Sequence, residues 1–148
     1  MTFGYGLLAL IVAIAGYLVY AYNALVSNKN LVAEGWSGID VQLRRRADLI
    51  PNLIETVKGY AAHERSTLEA VIQARSRAVA ATGTPEEQAP VENTLVDGLK
   101  QVFALAEAYP DLRADQHFLD LQRELTATED RIQAARRIYN GNVRDLNR

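Results

Sequence analysis

The hydrophobic pattern splits the chain at its first charge. Residues 1–28 contain no Asp, Glu, Lys or Arg, and residues 3–22 are drawn wholly from Phe, Gly, Tyr, Leu, Ala, Ile and Val. As a helix, about 20 such residues rise about 30 Å, the thickness of a bilayer's hydrocarbon core. Tyr5 lies near one end of the run, and Tyr17, Tyr20 and Tyr22 near the other, where an apolar ring with a polar hydroxyl suits the lipid–water boundary. A cleaved signal peptide needs a basic leader, which Met1-Thr2-Phe3-Gly4 lacks, and the cleavage-like Ala13-Ile14-Ala15 lies inside the apolar run. A buried soluble helix, apolar on every face, needs a larger surround than the remaining residues supply. The pattern predicts a transmembrane helix over 1–26, with Ala9 and Ala13 as a weak small-residue face for packing in lipid.

Behind the head the period changes to that of packed helices. Leu25, Val32, Trp36, Ile39, Leu43 and Ile50 form a heptad seam that continues the first helix into water. Gly35 and Gly38 flank Trp36 at a propensity cost of about 1 kcal/mol each, which predicts close approach of a neighbour. Pro51 removes a backbone donor and restricts Ile50, so a turn or sharp kink is expected there. A second segment carries Leu53, Val57, Tyr60, Leu68, Val71, Ile72 and Val79 on its apolar side, and Gly83 stops it. Thr84-Pro85-Glu86-Glu87 has the form of a capping box with proline at the first helical position, although Pro90 could also open the helix. The third segment ends at Tyr109-Pro110, and Asp111 or Asp115 caps a fourth. There Phe118, Leu121, Leu125, Ile132, Ala135, Tyr139 and Leu146 repeat at heptad spacing, with Thr128 in one core slot.

The expected fold is therefore all-α. An N-terminal transmembrane helix continues into an antiparallel up-down-up-down bundle over 27–148, with helices at about 25–49, 52–82, 86–108 and 115–147. No alternating β-branched run signals a strand.

Composition narrows the chemistry. Net charge is −2 with both signs interspersed, which argues against nucleic acid, and no cysteine is present for disulfides, thiolate metal sites or nucleophilic catalysis. His63-Glu64 lacks the second histidine of a zinc-protease helix, since position 67 is Thr, and His117 is far away in sequence. Glu86-Glu87 and Glu129-Asp130 read as helix-start and solvated-face residues rather than acid–base pairs. Neither a phosphate loop nor a Gly-x-Ser-x-Gly elbow occurs. Neither catalysis, a cofactor nor a metal is expected.

Several stretches resemble the LemA family: Tyr22-Asn23-Ala24-Leu25-Val26, Glu34-Gly35-Trp36-Ser37-Gly38-Ile39-Asp40-Val41-Gln42-Leu43-Arg44-Arg45-Arg46, Asp48-Leu49-Ile50-Pro51-Asn52-Leu53, Val57-Lys58-Gly59-Tyr60, His63-Glu64, Ala106-Glu107-Ala108-Tyr109-Pro110-Asp111-Leu112 and Arg136-Arg137-Ile138-Tyr139-Asn140. The resemblance covers nearly the whole chain in order. It implies a bacterial membrane protein with an N-terminal helix, a helical bundle and no established activity. Its relatives include a magnetosome membrane protein, and some are encoded near membrane proteases. Family members usually continue past the equivalent of Asn147 with a proline- and aromatic-containing apolar segment, which the sequence through Arg148 does not include.

The candidate interaction or structural cluster comprises Tyr22, Asn23, Trp36, Asp40, Arg44, Arg45, Arg46, Tyr139 and Asn140. Asp40 and Arg44, like Arg44 and Asp48, stand four apart and can pair. Arg46 falls on the apolar seam, so it needs a carboxylate from another helix or an exit at the bundle's end; the alternative is a partner or lipid-headgroup contact. The up-down-up-down topology makes Tyr22-Asn23 and Tyr139-Asn140 neighbours at the membrane-proximal end. Basic Lys29 and Arg44 to Arg46 behind the span lead to the expectation that the bundle lies on the cytoplasmic side, and the resemblance implies a bacterial inner membrane or an intracellular membrane derived from it. The expected role is a scaffold or adaptor whose partners are the lipid bilayer, further copies of the chain and a membrane protein. The alternative is an accessory subunit of a membrane protease or a magnetosome-like remodelling machinery.

Overall fold

The computed structural model describes residues 2–147, apart from the side chains of residues 2–4 and 9, so Ala9 of the small-residue face lies outside the described side chains. Among the described residues there are helices and no strands: α1 (Thr2–Tyr60), α2 (Arg65–Ala80), α3 (Pro85–Ala106), the short α4 (Pro110–Ala114) and α5 (Gln116–Leu146). A long apolar N-terminal helix is followed by a helical bundle, as the pattern predicts. The chain forms two compact units, Ile39–Ala134 and Met1–Gly38 with Ala135–Arg148.

Within Ile39–Ala134 the long helices run up, down, up and down. Arg45 pairs with Glu124 and Tyr60 with Asp115, so α5 descends as α1 rises. Ala47 meets Arg75, while Lys58 shares a cleft with Arg65, so α2 is also antiparallel to α1. Arg46 reaches Glu92 and Glu64 meets Tyr109, which sets α3 parallel to α1. The enclosed core takes Ile50, Leu53 and Val57 from α1, Leu68 and Val71 from α2, Leu95, Leu99 and Val102 from α3, and Phe118, Leu121 and Leu125 from α5. Each such side chain contributes about 1.5–3 kcal/mol on burial, offset by the entropy of ordering it. Thr128 is fully buried and returns its hydroxyl to the Glu124 carbonyl at 2.8 Å, which explains how a polar residue fills a core slot.

Local signals at the connections hold. Gly83 has φ +109°, and Thr84 and Glu87 exchange both bonds of a capping box, so α3 opens at Pro85 and runs through Pro90. The Asp115 carboxylate accepts from the Phe118 amide at 2.8 Å and caps α5.

Two expectations are corrected. The turn at Pro51 does not form: α1 continues to Tyr60, and the first connection falls at residues 61–64. Proline leaves the carbonyl four residues earlier without its helical donor, here Ala47, and Arg75 Nε of α2 donates to that oxygen at 2.6 Å. A side chain replaces the missing main-chain donor, so the helix survives. The second correction concerns α2. Ile72 and Val79 are exposed while Ala74 and Ala78 are buried, so the stripe through Leu68, Val71, Ala74 and Ala78 faces the core. Both stripes fit a helical period, and packing selects between them.

The unit of Met1–Gly38 and Ala135–Arg148 contains the head and the end of α5. Leu7, Leu8, Ile11, Val12, Leu18 and Val19 are all more than half exposed, and none of the apolar window is buried by the chain itself. That removes the reading as a soluble core helix. By length and composition this is the one described helix fit to cross a membrane.

Candidate functional site

The predicted cluster divides between the two units. In Ile39–Ala134 the central element is Arg46, only 2% exposed. Its guanidinium donates to the carboxylates of Glu92 on α3 and Glu129 on α5. The seam position of Arg46 demands such partners, because an unpaired buried charge costs several kcal/mol. Glu129, a solvated-face residue by its pattern, instead shares the Arg46 guanidinium with Glu92 and remains 30% exposed. Arg46 Nε and, one turn earlier on α1, Gln42 Oε1 are buried with no hydrogen-bond partner among the described residues. The neighbouring arginines are surface groups: Arg44 pairs with Asp40 at 2.9 Å and Arg45 with Glu124 at 2.7 Å, both substantially exposed. Exposed pairs of this kind contribute at most about 1 kcal/mol. Asp40, Arg44, Asp48, Arg75, Gln88 and Glu92 line a cleft of ≈ 490 Å³.

At the end of the same unit two tyrosines tie the connections together. Tyr60 donates to Asp115 at 2.8 Å and Tyr109 to Glu64 at 3.0 Å. These bonds raise both phenol pKa values, since ionisation would set an anion against a carboxylate. The Phe118 amide, then the Tyr60 hydroxyl, hold the Asp115 carboxyl below its usual range. Among the described residues no three His, Asp or Glu side chains gather to hold a metal ion.

In the other unit Trp36 packs on Tyr139 with ring centroids 6.2 Å apart, and Asn142 Nδ2 donates to the Leu31 carbonyl at 2.8 Å. The approach is close at Gly35, where a Cβ would stand 3.4 Å from Tyr139 Cα, at the near edge of ordinary contact. Gly38 has nothing within 4 Å of such a Cβ, so no neighbour within the chain requires it. Tyr22 and Asn23 are exposed and do not meet Tyr139 and Asn140. Tyr139 lies level with Gly35 and Trp36, about 20 Å along α1 from Tyr22 at helical rise. The expected juxtaposition fails because α1 overshoots Pro51, and each added residue moves the partners of α5 further along it.

Glu92, Glu129 and Arg75 were missed as site residues. The signal for a carboxylate partner was the cation on the apolar seam; nothing local marked Arg75.

Comparison with known proteins adds a relationship to this geometry. A family model described as LemA family matches residues 35–148. Protein LemA of Metamycoplasma hominis is 29% identical over 128 residues, covering 84% of this chain and 58% of that relative, so the chain spans less than two thirds of its length.

Proposed function

The chain belongs to the LemA family, and from that premise we propose that it is a membrane-anchored helical scaffold that associates with further copies of itself and presents its bundle to a membrane-protein partner. The observation that carries this reading is the continuity of α1, a single helix from Thr2 to Tyr60 whose apolar head is uncovered and whose far end is core. The anchor and the bundle thus share one element. Of the site residues, Arg45 and Arg46 join helices through ion pairs, and Trp36 and Tyr139 through ring packing. They gather no nucleophile beside a base, so the reading assigns the chain no reaction of its own.

Support for self-association comes from the cleft lined by Leu31, Glu34, Gly35, Gly38, Ala135 and Ile138. Leu31 and Ile138 are exposed there, and the uncovered glycine leaves room for a second helix. The bundle faces the cytoplasm in this reading, with Lys29 behind the span as the basic flank.

The test is membrane extraction followed by crosslinking. The full chain should resist alkaline extraction from bacterial membranes and crosslink to itself in mild detergent. A variant lacking residues 1–22 should be released. A full chain extracted as a soluble protein would refute the anchor, and a strict monomer with no crosslinked partner would refute the scaffold.

A further inference from the structure

The two units share the chain's charges unequally. Met1–Gly38 with Ala135–Arg148 carries five basic and two acidic residues, whereas Ile39–Ala134 carries eleven basic and sixteen acidic ones. The surplus of cations lies in the unit that holds the apolar head. Because Asn142 bonds to Leu31 and α5 runs antiparallel to α1 there, Arg144 comes level with Lys29. Helical rise puts both about 10 Å beyond Tyr22. Arg137 stands seven residues before Arg144, on the same face of α5 and about 10 Å further from the head. Lys29, Arg137 and Arg144 are exposed and Arg136 is half-buried, and none of the four makes an ion pair among the described residues.

We infer that Lys29 and Arg144, supported by Arg136 and Arg137, form a basic collar that binds the anionic phospholipid headgroups of the leaflet from which α1 emerges. The inference rests on the membrane-anchored reading above. Its physical basis is reach and sign. The headgroup layer adds about 5–8 Å outside the hydrocarbon on each side. Lys and Arg stems extend their charges toward it while their methylenes lie on apolar surface. Guanidinium groups match phosphate oxygens in pairs. The screening length at physiological salt is about 8 Å, so Lys29 and Arg144 contribute most and Arg136 and Arg137 less. The collar fixes the end of α5 against the bilayer in a lipid-dependent way, which the span alone does not do.

The chain has no cysteine, so Asn147→Cys gives a unique attachment point for a fluorophore beside Arg144. The labelled chain, residues 1–148, is reconstituted in vesicles of phosphatidylcholine, alone or mixed with phosphatidylglycerol, and quenching by headgroup-labelled lipid is read. Quenching should be stronger on the anionic vesicles at low salt and fall to the neutral value at high salt. At about fivefold in surface occupancy per cation close to the membrane, Lys29→Gln with Arg144→Gln should remove most of the difference, and Arg136→Gln with Arg137→Gln a smaller part. Equal quenching on both vesicle types overturns the collar, as does loss of the anionic effect to inorganic phosphate at matched ionic strength. Flotation with neutral vesicles after an alkaline wash separates the two levels. A chain that floats but ignores lipid charge refutes the collar alone, whereas one that does not float refutes the anchor and the collar with it.

Discussion

Replacing Arg46 with methionine tests the reasoning about the bundle most directly. The substitution keeps an unbranched apolar stem of similar length but removes the guanidinium that faces Glu92 and Glu129. The Glu92 side chain is 4% exposed, so its carboxylate loses the ion-pair partner it has among the described residues, whereas Glu129 at 30% can turn toward water. Breaking a buried pair from one side costs about 3–5 kcal/mol. Since 1 kcal/mol moves the midpoint of a domain of this size by about 3–6 °C, the expected loss is about 10–30 °C. Glu92→Gln should cost less, because Arg46 keeps Glu129 and gains an amide oxygen, and Glu129→Gln should cost about 1 kcal/mol or less. Joint replacement of Arg46 by Met and Glu92 by Leu should recover most of the loss, since no buried charge then remains. Thermal melts followed by circular dichroism in mild detergent supply the numbers. An Arg46→Met melt within a few degrees of the parent would refute the argument, and so would a double replacement less stable than either single one.

Three further outcomes follow from named contacts. Arg75→Leu should destabilise by about 1–3 kcal/mol by leaving the Ala47 carbonyl without a donor, and most of that cost should vanish in a Pro51→Ala background, where a main-chain donor returns; denaturant titration of the four-member cycle measures the coupling. Gly38→Ala should stabilise the free chain by about 0.5–1 kcal/mol because a Cβ there meets nothing, while Gly35→Leu should separate the Trp36–Tyr139 pair, seen as a change in tryptophan fluorescence. Asp115 has a folded-state pKa below its unfolded one, so its contribution is complete above the unfolded value and is lost as pH falls through the folded one. Asp115→Asn should therefore flatten the stability profile below pH about 4 and leave it parallel to the parent near neutrality, as acid titration would report.

Residues whose environment is set within a few positions were legible in the sequence. The Thr84 to Glu87 capping box and the seam from Phe118 to Ile132 form as read, because their interactions close within a helical turn or along one face. Arg46 shows an intermediate case: its place on an apolar seam demanded an opposite charge, but which acidic residues would supply it depended on the register of α3 and α5. Pro51 was misread because the local rule is sound and its exception lies on another helix. The false turn then displaced α5 along α1, which is why Tyr139 was paired with Tyr22 and not with Trp36. Long-range register, unlike local period, is an accumulated sum, so one misplaced turn misassigns every neighbour beyond it.

The dependence of Ala47 on Arg75 also constrains the order in which this sequence can drift. Exchange of Pro51 for an ordinary helix former releases the arginine from its task, after which position 75 is free to vary. Loss of the arginine first exposes a defect in a different helix, the carbonyl of Ala47 twenty-eight positions upstream. The two substitutions are thus not interchangeable steps: descent through the proline is open, and descent through the arginine crosses an unstable intermediate.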